Sequence, residues 1–165
     1  MKKTFMCDDK TLGCSLIVPF IILASVGASL GFAQQPANSC PSWGIPIHVH
    51  IHGLRNAQGT VKAVLYGPNP QDFLVKGKKA DKEREPAQEG AMTLCVAAPA
   101  PGQYGVVVYH DENANGKFDR NWIGLPIEGF GVSNNPTLFL APPSFEESAF
   151  EVDGAITHVE VEVKY

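Results

Sequence analysis

The sequence predicts an all-β protein, a single antiparallel β-sandwich of about seven strands. Three observations carry that expectation. Beyond its first 33 residues the chain shows little sustained helical periodicity. Short runs rich in Val, Ile, Thr and Tyr recur between clusters of Gly, Pro and Asn, the punctuation of a sandwich or barrel. The first and last of these runs, near Ile45 and Ile156, alternate apolar and polar residues with a period of two, which is how a strand with one buried face reads.

In chain order, Ile45 to His52 alternates strictly, with Ile45, Ile47, Val49 and Ile51 on one face and Pro46 and three histidines on the other. Pro46 cannot donate to a ladder, so its end belongs at an edge or strand start. Gly53 to Gly59 reads as a turn and Thr60 to Tyr66 as the second strand. Pro68 to Gly90 crowds Lys76, Lys78, Lys79, Asp81, Lys82, Glu83, Arg84, Glu85 and Glu89 among few apolar residues. It reads as a solvated loop with a helical turn near Asp72-Phe73-Leu74. Ala91 to Ala98 is the next strand, and Pro99 to Gly102 a turn. Tyr104 to Tyr109 is apolar on both faces, so it is expected at the centre of a sheet. A long loop runs from His110 to Pro143, interrupted by a short strand at 137–140. Ala149 to Val152 and Ile156 to Lys164 complete the set, with Val159, Val161 and Val163 inward and His158, Glu160, Glu162 and Lys164 outward.

The N-terminus sets the cellular context. Lys2, Lys3 and Lys10 precede an apolar run from Leu16 to Ala33, which ends in small residues before Gln34-Gln35-Pro36. This is the pattern of a signal peptide, 1–33, cleaved after Ala33, giving a periplasmic or secreted product. An uncleaved anchor is the alternative, since ~18 apolar residues just span a bilayer. Residues 34–44 form a linker and 45–165 one domain with one core. The chain carries −4 overall. Three of its 13 basic and two of its 17 acidic residues lie in the leader, so the rest has 10 and 15, a net of −5. That balance argues against nucleic acid, and against a membrane surface beyond the leader. Cys40 and Cys95 remain after cleavage, an even pair in an oxidising compartment, and are expected to form a disulfide rather than two buried thiols.

The stretch richest in chemistry is His110-Asp111-Glu112-Asn113-Ala114-Asn115-Gly116-Lys117-Phe118-Asp119. Side-chain oxygens fall at Asp111, Asn113, Asn115 and Asp119, with Gly116 after the third, the spacing of a calcium loop. A hard cation of that size takes six to eight oxygens at ~2.4 Å, so the chain must curl, and Gly permits the left-handed turn that curling needs. The Lys117 carbonyl would be the backbone ligand. The twelfth position is Trp122, which has no carboxylate, so Glu128 is the candidate replacement. The competing reading is an Asx-rich turn whose side chains bond their own backbone.

Pro101-Gly102-Gln103-Tyr104, leading into a valine strand, resembles the turn and tyrosine anchor of transthyretin-like sandwiches, so the expected fold is immunoglobulin- or transthyretin-like. A longer resemblance rests on four blocks: His110 to Asn113, Asn115 to Asp119, the Gly124-x-Pro-x-Glu-Gly-Phe-Gly-x-Ser-Asn-Asn run ending at Asn135, and Pro142 to Glu146. Together they resemble a bacterial family, domain of unknown function 2141, over roughly 47 to 165. The resemblance implies a small exported protein and names no reaction. The triple-histidine strand is a departure from it.

His48, His50 and His52 share a strand face with side chains ~7 Å apart. His-x-His pairs chelate zinc or copper, and His158 or Glu160 would add a ligand if the last strand lay alongside; an exposed polar face is the competing reading. His110 is a structural residue or a general base. No G-x-S-x-G elbow, P-loop or dinucleotide fingerprint is present. The expectation is therefore a binding or structural module of the bacterial envelope. Its ligand would be a glycan, a peptide or a protein, and calcium is its candidate ion. The rival is a zinc-dependent enzyme built on the His48/His50/His52 strand or the acidic loop.

Overall fold

The computed structural model describes residues 39–137 and 142–165. The expected leader at 1–33, the linker up to residue 38 and most of the strand expected at 137–140 lie outside the described residues. Among the described residues there are eight strands, β1 (Ile45–Leu54), β2 (Thr60–Tyr66), β3 (Asp81–Pro86), β4 (Gly90–Ala98), β5 (Gly102–Asp111), β6 (Gly129–Val132), β7 (Ala149–Val152) and β8 (Thr157–Glu162). One short helix, α1 (Phe145–Ser148), precedes β7 and starts on a capping box between Ser144 and Glu147. No helix among the described residues is long and apolar enough to cross a membrane.

The strands form two sheets, β4-β1-β8 and β3-β2-β5-β6, with β7 continuing beside β5. β6 and β7 lie end to end, pairing Val107–His110 and Gly102–Gly105 of β5 respectively. The all-β sandwich is as expected. One pair differs from a purely antiparallel scheme: β1 and β8 run parallel, with His48 beside His158 and His52 beside Glu162.

The alternating faces make the core. Ile47, Val49 and Ile51 of β1, Leu94 and Val96 of β4, and Val159 and Val161 of β8 pack against Val61, Ala63 and Leu65 of β2 and Tyr104, Val106 and Val108 of β5. Burying a side chain of this size contributes about 1.5–3 kcal/mol relative to exposure, so this layer dominates the stability. β5 is apolar on its outer face too. There Val64, Tyr66, Val107 and Val132 form a second cluster, covered by Phe73, Leu74, Tyr109 and Phe130. Tyr104 donates its hydroxyl to the Ala100 carbonyl at 2.8 Å, anchoring the turn before β5. A Cys40–Cys95 disulfide ties the segment before β1 to β4.

Two expectations are corrected. The charged excursion is not all loop, because 81–86 is β3, an edge strand paired with β2. An edge strand rich in charge resists pairing with other chains, which is why polarity does not disqualify the segment. The long loop after His110 also contains β6, where Gly131 sits so close to the Glu162 carbonyl and Val161 that a Cβ would not fit.

Candidate functional site

The acidic loop leaves the end of β5 and curls at Ala114 (φ 55°) and Gly116 (φ 79°). Asp111 is 4% exposed. Its carboxylate accepts the backbone N–H groups of Asn115 at 3.0 Å and Gly116 at 2.7 Å. Asn113 Oδ1 accepts from Asn115 N, and Asn115 Oδ1 from Lys117 N. Both asparagine amides donate to Asp119 Oδ2, at 2.7 and 2.8 Å. These are the bonds an Asx-rich turn makes, and they gather Asp111, Asn113, Asn115, Lys117 and Asp119 into one tight turn. Glu128 reaches the same loop from the start of β6. Only 4% exposed, it accepts the Asp119 N–H on Oε2 at 2.9 Å. Its Oε1 has no hydrogen-bond partner among the described residues. It lines a cleft of about 520 Å³ with Asn113, Asp119, Glu112 and Arg55. Glu112 is held there by Arg55 and Asn56 at 2.8 and 2.6 Å, and the Arg55 hydrogen bond keeps its carboxyl below the usual range.

On its other side the loop walls a larger groove of about 1120 Å³, laid across the outer face of the five-stranded sheet. Lys62, Lys76, Lys79, Lys82, Arg84, Lys117 and Arg120 line it, against only Glu83 and Asp111. Seven of the ten basic residues beyond residue 33 therefore meet on one face of an acidic chain. Among the described residues none of the seven has a carboxylate oxygen within 4.0 Å. Strand register causes the crowding: Lys62 of β2 stands opposite Arg84 of β3 on one side and Tyr109 of β5 on the other. Burial lowers the Lys62 pKa from its ordinary value, and Arg84, Lys79 and Lys82 lower it further, opposed by Asp111. Aromatic rings line the groove. The Lys62 ammonium lies 5.2 Å from the Tyr109 ring centroid and the Arg120 guanidinium 5.1 Å from that of Phe118. Burial, aided by Tyr66, pushes the Tyr109 hydroxyl up to about 12.

Residues 49–160 match the family described as an uncharacterized protein conserved in bacteria, DUF2141. The chain belongs to the DUF2141 family. The match contains the acidic loop, Glu128 and every residue lining the groove, and it begins one residue after His48. No curated protein and no solved structure matches the chain.

Of the histidines in this DUF2141 chain, His110 is fully buried, with Nε2 facing the Gln58 carbonyl at 2.8 Å and Nδ1 the Tyr165 hydroxyl at 2.5 Å. Both of its nitrogens are therefore engaged within the core. His48, His50 and His52 share the outer face of the three-stranded sheet, but they do not form one group. His52 pairs with Glu160, while His158 joins His48 and His50. The sequence reading missed the groove because it treated 81–86 as loop. A usable signal was present: Asp81, Glu83 and Glu85 alternate with Lys82 and Arg84, a period of two in charge sign rather than hydropathy.

Proposed function

We propose that this DUF2141 domain is an exported binding module whose ligand is an acidic glycan lying along the groove of the five-stranded sheet. The carrying observation is the set of seven cations without carboxylate partners among the described residues, two of them, Lys62 and Arg84, directly opposite each other on paired strands. Like charges in that position destabilise a sheet. An anion between them removes the repulsion, and a uronate or phosphate group accepts charge-assisted hydrogen bonds from both. The aromatic lining, Tyr109 and Phe118, offers apolar faces to sugar rings. The leader pattern supports an envelope location.

The acidic loop is part of the same reading. Calcium, bound through the cluster of Asp111, Asn113, Asn115, the Lys117 carbonyl and Asp119, would brace the groove wall. The observation favouring it is Glu128: a buried carboxylate oxygen without a partner is costly, and a cation would satisfy it.

The test is binding of polygalacturonate by the full-length protein at low and physiological salt, with neutral dextran as the control. The expected result is saturable binding that weakens with salt and is absent for dextran. Replacing Lys62 and Arg84 together by Gln should weaken it by roughly tenfold or more, about 1.4 kcal/mol. Lys164→Gln should leave it unchanged. Equal binding of dextran, or no effect of the double substitution, would reject the groove as the site.

A further inference from the structure

The parallel pairing of β1 with β8 does something no single stretch of sequence does: it lays His158 beside His48 and within reach of His50. The three rings are nearly parallel. His158 lies 5.2 Å from each of the other two, centroid to centroid, and His48 and His50 are 6.5 Å apart. His50 Nε2 and His158 Nδ1 are 2.9 Å apart. Among the described residues neither nitrogen has a carboxylate oxygen within 4.0 Å. The contact joins two groups that each bind metal when neutral.

We propose that this face binds one divalent ion of the zinc, copper or nickel class through His50, His158 and His48. Imidazole is the ligand these metals share, whereas calcium takes oxygen. The ion takes the place of the proton between His50 Nε2 and His158 Nδ1, and that proton passes through solvent to His158 Nε2, so that both imidazoles bind as neutral ligands. Metal–nitrogen bonds of about 2.0–2.1 Å require the two rings to swing apart slightly, which the exposed His158 side chain does readily. His48 supplies the third nitrogen by turning its ring away from Cys40 Sγ, 3.4 Å from its Nε2. Water completes the set.

Two further contacts favour these three residues. Thr93 on β4 lies 3.1 Å from His50 Nδ1. An Nδ1–H donated to that hydroxyl fixes the tautomer in which Nε2 has its lone pair free. Metal-bound histidines ordinarily have such an outer partner. His52, by contrast, is committed to Glu160. The sulfurs of Cys40 and Cys95 lie near His48, but they are joined in the disulfide and are not thiolate ligands. The face is on the opposite sheet from the cationic groove, so the inference stands independently of the proposed ligand.

The experiment is calorimetric titration of the untagged full-length protein with zinc, together with the electron paramagnetic resonance spectrum of its copper(II) adduct. The expected result is one equivalent of zinc and a copper spectrum split by nitrogen, with calcium failing to compete. His50→Gln and His158→Gln should each weaken zinc binding by about tenfold or more, and His52→Gln should not. These side chains are on an outer face, and the unfolding midpoint without metal confirms that each variant folds. The copper spectrum tests the site in the wild type, so it does not depend on the variants. No binding, a spectrum without nitrogen splitting, or loss with His52→Gln equal to that with His158→Gln would overturn the proposal.

Discussion

Glu128 carries the least compensated atom near the acidic loop. Its Oε2 holds the Asp119 N–H, and its Oε1 is buried without a partner. Asp111 has a different role, since its carboxylate fastens the turn through Asn115 and Gly116. Asp111→Ala would therefore loosen the loop with or without an ion, and Glu128→Gln is the sharper probe. If calcium binds here, millimolar calcium should raise the unfolding midpoint relative to chelator. The gain is about 2.7 kcal/mol at a hundredfold excess over Kd. Kd should be on the order of 10⁻⁴ to 10⁻³ M, as in extracellular modules. Glu128→Gln should abolish the shift. An unchanged wild-type midpoint would leave the hydrogen-bonded turn as the whole account of these residues. The spacing of Asp111, Asn113, Asn115 and Asp119 was legible in the sequence because neighbours along a turn are neighbours in space. Glu128 was named from the sequence as the replacement carboxylate; the pairing of β6 with β5, which its glycine-rich sequence does not announce, is what brings it to this turn.

β3 is the element where stability and binding pull in opposite directions. Its acidic side chains are half-buried and its basic ones face the groove. Asp81 accepts the Ala97 N–H at 2.8 Å, tying this edge to the other sheet. The outward Arg84 faces Lys62 across the ladder at a cost. Arg84→Glu should raise the unfolding midpoint without ligand, by the equivalent of about 0.2–1 kcal/mol, because it turns a like-charge pair into an opposite one. The same substitution should weaken polygalacturonate binding. Thermal unfolding and a binding titration on one variant check both. A fall in stability together with unchanged binding would count against the groove. Gains of stability that cost function are the expected signature of a site under strain.

The two sheets are held together by apolar burial, and the disulfide ties the segment before β1 to β4. Cys40 and Cys95 are 55 residues apart in sequence. Chain entropy for a loop of that length predicts about 4 kcal/mol of stabilisation. Reduction, or replacing both cysteines by Ala, should lower the unfolding midpoint markedly and leave the sheet topology unchanged, as read by thermal unfolding and far-ultraviolet circular dichroism. A midpoint within experimental scatter of the wild type would show that the core alone suffices. The molecule also shows why net charge is a poor guide to a surface. A chain of −5 beyond residue 33 carries a strongly cationic groove, because sheet register, not composition, decides which charges become neighbours.

The sequence by itself determined the all-β class, the position of β1, β2, β4, β5, β7 and β8 to within a few residues, and the inward and outward faces of β1 and β8. Each of these is a local property, written in alternation and turn residues within a short window. It also determined membership of a family, through the blocks from His110 to Asn135. Only the tertiary structure decided the parallel pairing of β1 with β8, and with it the meeting of His158 with His48 and His50. The same holds for the pairing of 81–86 with β2 and the convergence of seven cations on one groove. The physical reason is common to all three. Strand partners are chosen by the burial of a shared core, which joins residues distant in sequence and carries their outward side chains along as passengers. Those passengers form the candidate sites, and no local pattern records who their neighbours will be.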